Sequence, residues 1–186
     1  KLPFLNHKIN YRNHRKIVVV DGNVGFIGGL NIGDEYLGLK DSFGFWRDTH
    51  LKVEGEAVRT LQLIFLQDWY YMSGESLLLP EYLSPRDLRR DDLGGVQMVA
   101  SGPDGEWEAI KSMFFSMIVS AKRSIWIASP YFIPDGDILS ALRIAALSGI
   151  DVRLLVPNRP DKRIVFYASR SYFPELLEAG IKIYAY

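Results

Sequence analysis

The 186-residue sequence lacks cysteine, and it lacks any run of apolar residues long enough to cross a bilayer. Without cysteine the chain can form neither a disulfide nor a thiolate metal site. A transmembrane helix needs about 20 consecutive apolar residues, and charged side chains interrupt the sequence more often than that. The chain also lacks an excess of either charge, since 22 basic and 22 acidic residues balance. This balance disfavours a protein whose main task is non-specific nucleic-acid binding.

Histidine is scarce as well, with only His7, His14 and His50, all in the first half of the chain. The sequence opens on Lys rather than Met and shows no signal peptide, so we interpret it as a piece of a longer protein. Its 48% hydrophobic and 24% charged residues are typical of an ordinary globular protein. Its 186 residues are enough for one domain and part of another.

The most informative stretch runs from residue 13 to residue 31 and predicts a β-hairpin. Ile17–Val20 is a β-branched run, Asp21-Gly22 is a strong turn signal, and Val24–Ile27 is a second apolar run. Antiparallel pairing around Gly22 makes the numbers of facing residues sum to about 44.

The hairpin brings polar groups together at its open end. Residues two apart on a strand share a face, so His14 and Lys16 point the same way. The pairing puts Lys16 opposite Gly28, and Asn31 diagonally beside the position of His14. Gly28 and Gly29 carry no side chain, so we expect them to leave an open space there. The sequence therefore predicts a site for a small anion such as phosphate, and a solvated surface pair of His and Lys is the alternative.

The spacing His14-x-Lys16-x4-Asp21-x6-Gly28-Gly29-x-Asn31 matches at every position the HKD signature of the phospholipase D superfamily. Within that superfamily the sequence resembles the bacterial cardiolipin synthases, and residues 32–38, 43–50 and 128–135 also resemble that group. The resemblance covers nearly the whole chain.

The resemblance implies a phosphatidyl transferase that makes cardiolipin from two phosphatidylglycerol molecules through a phosphohistidine. One motif histidine attacks the phosphodiester, and the histidine of a second motif protonates the leaving alcohol. His14 and Lys16 would be catalytic, and Lys16 and Asn31 would hold the nonbridging oxygens, with Gly28 and Gly29 part of the phosphate-binding site. No second motif is present, so we expect the isolated chain to be inactive unless two copies meet as a homodimer.

Asp21 belongs to the same signature, and the resemblance groups it with the catalytic residues. Hairpin geometry puts it about five strand residues from Lys16, which is roughly 16 Å. We therefore expect Asp21 to shape the turn rather than to touch phosphate.

Asp48 lies on a strand predicted at Phe45–Val53. Its carboxylate could accept a hydrogen bond from one ring nitrogen of His14 and so fix the tautomer, and the resemblance gives an acidic residue on this strand the same role. A surface ion pair with Arg47 is the alternative, and we interpret His50 as a packing or surface residue.

The predicted fold is α/β, a phospholipase D-like α-β-α sandwich with a mixed sheet. Residues 1–71 would be the end of one catalytic half with the HKD motif, 72–95 a connecting segment, and 96–186 the beginning of the second half. A helix is predicted at Glu54–Tyr71. Beyond it we predict strands at Val96–Ser101, Ser124–Ser129, Asp151–Val156 and Ile181–Tyr184, and helices at Glu106–Ala121, Gly136–Ser148 and Asp161–Ala179.

Two other functions stay open at this point. One is a phospholipase D-type phosphodiesterase or nuclease, and the other is a non-catalytic interaction module. We predict no metal and no other cofactor, because the acidic residues are scattered without ligand spacing. The expected partners are phosphatidylglycerol and, through the parent protein, the surface of the bacterial cell membrane, with the fragment itself soluble and no nucleic acid bound.

Overall fold

The computed structural model describes residues 13–39, 46–83, 95–102, 107–159 and 162–186. The chain divides into two compact units, Lys1–Pro103 and Asp104–Tyr186. The division between them falls after the predicted connecting segment 72–95, of which residues 84–94 lie outside the described part. The three-part domain scheme therefore stays a prediction.

The first unit contains a three-stranded antiparallel sheet. Its strands are β1 (Ile17–Val20), β2 (Val24–Gly28) and β3 (His50–Glu54), in the order β1-β2-β3. Ile17 faces Ile27 and Val20 faces Val24, so the numbers of facing residues sum to 44 and the predicted register is confirmed. The third strand begins at His50, later than the predicted start at Phe45, which lies outside the described residues.

The hairpin turn is made by Asp21 and Gly22. Both have positive φ, 53° at Asp21 and 68° at Gly22, and the amide of Asn23 donates to the carbonyl of Val20 at 3.0 Å. Two central residues in the left-handed region are what a type I′ turn requires, and its twist suits a β-hairpin. Asp is one of the few side chains that tolerates this conformation, so Asp21 has a structural reason for its position.

One face of this sheet packs against helix α1 (Ala57–Ser73). The helix begins three residues later than predicted, since Glu54 still belongs to β3. It buries Val58 and Leu61 completely, and a Cβ atom on Gly25 would lie only 2.7 Å from the Leu61 side chain. The helix ends at Gly74, which adopts φ 73° and donates its amide to the Tyr70 carbonyl. A short helix α2 (Pro80–Leu83) follows.

The second unit contains a parallel sheet of three strands with helices between them. In chain order the elements are α3 (Ala109–Ser120), β4 (Ser124–Ala128), α4 (Gly136–Leu147), β5 (Asp151–Val156), α5 (Arg163–Arg170), α6 (Phe173–Glu178) and β6 (Lys182–Ala185). The strands lie in the order β4-β5-β6. The core is built from Leu142, Val152, Leu154 and Leu176, each almost inaccessible to solvent.

The predicted α/β class is confirmed, and the structure adds three differences in detail. Among the described residues the antiparallel and parallel strands lie in separate sheets. Val96–Ser101, predicted as a strand, is not a strand in the structure and pairs with none of the described strands. The helix predicted at Asp161–Ala179 is two helices, because Pro174 cannot donate the backbone hydrogen bond that a continuous helix needs there.

Asp135 is the N-cap of α4 and accepts hydrogen bonds from the amides of Asp137 and Ile138, each at 3.0 Å. The backbone hydrogen bond from Ile138 and the ammonium of Lys111, 3.0 Å away, hold the pKa of the Asp135 carboxyl below its usual value. Conversely, hydrogen bonds to the carboxylates of Asp135 and Asp137 raise the pKa of Lys111. The Asp135 carboxylate is therefore held both by backbone amides of α4 and by the Lys111 ammonium.

We expect this cap to make unfolding of the second unit pH-dependent. Because the folded-state pKa of Asp135 is depressed, its contribution is complete above the unfolded-state value of about 4 and is lost as pH falls through the folded-state value. Thermal melts at pH 7 and pH 3 will check this. Asp135→Asn keeps a capping side chain and should flatten the pH dependence, whereas Asp135→Ala should lower Tm at both pH values. Equal pH dependence in all three proteins would contradict this account.

Within the described ranges no helix is both long enough and apolar enough to cross a membrane.

Candidate functional site

The structure brings His14 and Lys16 together just before β1 begins. The Lys16 ammonium donates a hydrogen bond to the main-chain carbonyl of His14 at 2.8 Å. His14 is exposed and Lys16 is half-buried. Continuing the observed register by one residue beyond Ile17 places Lys16 opposite Gly28, as the sequence predicted.

Both side chains belong to the face of the sheet that α1 leaves uncovered. Val19, Gly25 and Val53 face one another across the three strands, and Gly25 points at the Leu61 side chain of the helix. Residues two apart share a face, so the even-numbered residues of β1 lie on the opposite side. Val18 and Val20 are accordingly 55% and 47% exposed. His14 and Lys16 continue this even-numbered set, and a ligand can therefore approach them.

Gly28 and Gly29 do not leave the open space that the sequence predicted. A Cβ atom on Gly28 would lie 2.4 Å from the Thr49 carbonyl oxygen and 2.7 Å from Nδ1 of His50. On Gly29 it would lie 2.1 Å from Oδ1 of Asp48. The expectation of an empty pocket is thus wrong, because the segment entering β3 fills the space. The glycines are required for close approach of two backbones.

The backbone of Gly29 is also committed within the fold, since its amide donates to the Thr49 carbonyl at 3.0 Å. That amide is unavailable to an anion in this conformation. The phosphate-binding role of the two glycines stays a prediction, and the observed contacts give them a packing role.

This packing role predicts a large effect of a single methyl group. Gly29→Ala should lower the free energy of unfolding by about 1–3 kcal/mol, because Asp48 and the backbone around it must move. Urea unfolding measures the change. Gly95→Ala is the matched control, since an added Cβ there meets nothing within 4 Å. Equal free energies of unfolding for the two variants would show that the segment before β3 can move aside without loss of stability.

Asp48 lies two residues before β3 and against Gly29. Its Oδ1 atom accepts the backbone amide of Thr49 at 2.7 Å, and the side chain is exposed. Within the described residues no hydrogen bond joins Asp48 to His14, so the predicted control of the His14 tautomer stays a prediction. The contact with Gly29 does place the carboxylate at the end of the hairpin that carries His14.

Asp21 is separated from these groups, because it occupies the turn at the far end of β1. Asn31 lies in the turn segment beyond β2 and donates its side-chain amide to the hydroxyl of Tyr36. The Tyr36 ring in turn packs on Trp46, with ring centroids 5.3 Å apart. The structure thus joins the Lys16 ammonium to the His14 main chain, holds Asn31 through Tyr36, and puts Asp21 at the far end of β1.

Tyr36 is a residue near the site that was not identified from the sequence. It fixes the Asn31 side chain, and neither its type nor its spacing predicts that contact. His50, which the sequence predicted as a packing or surface residue, packs on Gly28. Its Nδ1 atom is buried and has no hydrogen-bond partner among the described residues.

The groups present at the site are an imidazole, an ammonium and a carboxamide. An imidazole can act as a nucleophile toward phosphorus, and an ammonium stabilises the charge on phosphoryl oxygens. In the parts of the chain that the structure describes, no cluster of three or more His, Asp or Glu side chains could hold a metal ion. The chemistry that this arrangement supports is attack on an anionic ester, with lysine as the cation.

Known proteins are similar to this chain in sequence and in fold. A family model described as "Cardiolipin synthase, PLD-like domain" matches residues 114–186. The chain is 74% identical over all 186 residues to a cardiolipin synthase of Geobacillus thermodenitrificans and covers 37% of that protein. It is 76% identical over 186 residues to a cardiolipin synthase of Halalkalibacterium halodurans, again covering 37%. The chain thus spans little more than a third of the length of these relatives.

Among solved structures, the fold is similar to that of a phosphatidylserine synthase from Haemophilus influenzae Rd KW20. The TM-score is 0.54, and the match covers 93% of this chain and 48% of the other. At 14% sequence identity this likeness concerns the fold alone. The two cardiolipin synthases match all 186 residues of this chain, and both units are therefore included in the match. Over its whole length the chain is thus similar to cardiolipin synthases, and its residues 114–186 match the PLD-like domain of that family.

Proposed function

We propose that this chain carries one of the two active-site motifs of a phosphatidyl transferase that makes cardiolipin from two phosphatidylglycerol molecules. The observation that carries the proposal is the placement of His14 and Lys16 on the uncovered face of the hairpin, with the Lys16 ammonium 2.8 Å from the His14 carbonyl. The 74% identity to a cardiolipin synthase supports the choice of substrate.

In the proposed first step, a ring nitrogen of His14 attacks the phosphorus of one phosphatidylglycerol. The nitrogen–phosphorus bond forms as the bond between phosphorus and the glycerol oxygen breaks. Lys16 would neutralise the charge on the nonbridging oxygens, and Asn31, whose side chain contacts Tyr36, would donate to one of them. An acid from a second motif protonates the leaving glycerol.

In the second step, the free headgroup hydroxyl of another phosphatidylglycerol attacks the phosphohistidine. Cardiolipin leaves and His14 is regenerated, so the two steps together release one glycerol. This two-step transfer requires that water be excluded from the phosphohistidine until the second phosphatidylglycerol attacks it. Water as the acceptor would give phosphatidate, which is the outcome for a hydrolase of the same superfamily.

The substrate places this reaction at the surface of a membrane, and we propose that surface as the working site of the longer protein. A single copy of the chain offers only His14 for both roles. Two copies that meet, each supplying His14, would restore an acid opposite the nucleophile. Activity that rises with the square of protein concentration would identify this arrangement.

A hybrid protein tests the proposal. This chain replaces the matching segment of the Geobacillus thermodenitrificans cardiolipin synthase, and the hybrid is given vesicles containing phosphatidylglycerol. We expect cardiolipin and glycerol in equal amounts. Phosphatidate in place of cardiolipin would make the chain part of a hydrolase, and cleavage of added DNA with no lipid product would make it part of a nuclease. A correctly folded hybrid with no activity would contradict a transferase, a hydrolase and a nuclease function alike.

A further inference from the structure

Asp68, in the last part of α1, contacts the residues on both sides of His14. Its Oδ2 atom accepts the side-chain amide of Asn13 at 2.8 Å, and its Oδ1 atom lies 2.5 Å from the Arg15 guanidinium. Both carboxylate oxygens are therefore used, on partners 55 and 53 residues away in the chain.

The two partners are also joined to each other and to a second segment. The Asn13 side-chain oxygen accepts the backbone amide of Arg15 at 2.9 Å. A second guanidinium nitrogen of Arg15 donates to the Ser101 carbonyl at 3.2 Å. We call the group formed by Asn13, Arg15 and Asp68 the clamp. The clamp holds the backbone of residues 13–15 through an ion pair and through hydrogen bonds of both side-chain and main-chain atoms.

The clamp determines where His14 points. Asn13 and Arg15 both contact Asp68 of α1, so we expect the residue between them to project away from the helix. The face on that side is the uncovered one, where Lys16 also lies. Strand pairing does not hold His14 there, because β1 begins only at Ile17. The bonds to Asp68, together with the bond from Arg15 to the Ser101 carbonyl, tie this stretch to the rest of the first unit.

We propose that Asp68 is a positioning residue for the His14 nucleophile, acting through Asn13 and Arg15 and touching no substrate. The inference rests on the proposed function for its kinetic part, but the placement of the His14 ring can be measured without any reaction. The side chains of Arg15 and Asp68 are 34% and 27% exposed, so the ion pair is partly screened by water and its share of stability is modest.

The first test reads the imidazole directly in the 186-residue chain, with histidine rings isotopically labelled for NMR. In the unsubstituted protein we expect the His14 ring signals to be dispersed from those of a free histidine. Asp68→Asn should move them toward the free values while the His50 signals stay in place. Glu54→Gln is the matched control, because it removes a carboxylate of the same unit that pairs with Lys52 at 3.0 Å. Unchanged His14 signals in Asp68→Asn would overturn the proposal.

The second test is kinetic and uses the hybrid protein. Asp68→Asn should lower kcat about tenfold to a hundredfold with KM nearly unchanged, because a displaced nucleophile costs rate rather than lipid binding. The double substitution Asn13→Asp with Asp68→Asn exchanges amide and carboxylate across the same contact and should recover most of kcat. A fall in Tm with kcat and His14 signals unaltered would mean that the ion pair only holds the helix on the hairpin.

The two tests separate this proposal from the proposed function. Loss of His14 dispersion in the Asp68→Asn chain, together with an unsubstituted hybrid that makes no cardiolipin, would support the clamp and contradict the transferase. Normal cardiolipin synthesis in both the unsubstituted hybrid and Asp68→Asn would support the transferase and overturn the clamp.

Discussion

Replacing His14 by Gln in the hybrid protein is expected to reduce cardiolipin formation by at least about 10³-fold, because loss of a nucleophile removes the covalent route altogether. His14 is exposed on the uncovered face of the sheet, so the substitution deletes no buried contact and should leave Tm nearly unchanged. The measurement is the initial rate of glycerol release from phosphatidylglycerol vesicles, with Tm recorded for each variant.

The control for this result is the same substitution at another histidine. His7→Gln removes an imidazole from the same part of the sequence but outside the HKD spacing, and the rate should stay within about twofold. A His14→Gln hybrid that retains a tenth or more of the rate would remove His14 from the chemistry. Phosphate transfer would then have to begin at another side chain.

The second large effect is expected at Lys16. Lys16→Met should lower kcat by about 10²–10³-fold, since it removes the cation that offsets charge on the nonbridging oxygens in the transition state. Met retains most of the length and apolar body of the side chain. The hydrogen bond from Lys16 to the His14 carbonyl is lost as well, so a small fall in Tm is expected alongside.

Lys16→Arg separates charge from shape. It keeps a positive charge but presents a planar guanidinium, and we expect it to recover only part of the rate. Steady-state kinetics on mixed vesicles of fixed surface concentration gives kcat and KM for both variants. Equal rates for Lys16→Met and the unsubstituted hybrid would show that the ammonium contacts no developing charge.

The sequence predicted the hairpin because every signal for it is local. A β-branched run, an Asp-Gly turn and a second apolar run fix both the strands and their register within a dozen residues. The positive φ angles of Asp21 and Gly22 are the backbone conformation that this dipeptide favours. The placement of Lys16 opposite Gly28 followed from counting alone.

The surroundings of the hairpin could not be predicted in this way. Gly28 and Gly29 lack side chains whether they border a ligand or another strand, and the sequence does not distinguish the two. Only the approach of the segment at Asp48 shows that the space is filled. The contact between Asp68 and Asn13 spans 55 residues, and no periodicity or spacing signals such a pair.

In the second unit, two sequence signals for a helix boundary disagree, and Pro174 prevails over the apolar periodicity. The apolar periodicity of residues 161–179 predicts one long helix, yet Pro174 lies within it. The missing backbone donor divides the segment into α5 and α6, with Ser171 and Tyr172 in the turn between them. Proline chemistry takes precedence over hydrophobic pattern because no side-chain contact restores that hydrogen bond.

The proposed transferase mechanism depends most on His14 itself accepting the phosphoryl group. Incubating the 186-residue chain with bis(4-nitrophenyl) phosphate tests it, because nitrophenolate leaves without the acid of a second motif. Mass spectrometry of the quenched protein should find one nitrophenylphosphoryl group per chain, located at His14 and absent from His14→Gln. Nitrophenolate release without a label at His14, or an equal label in His14→Gln, would contradict the account.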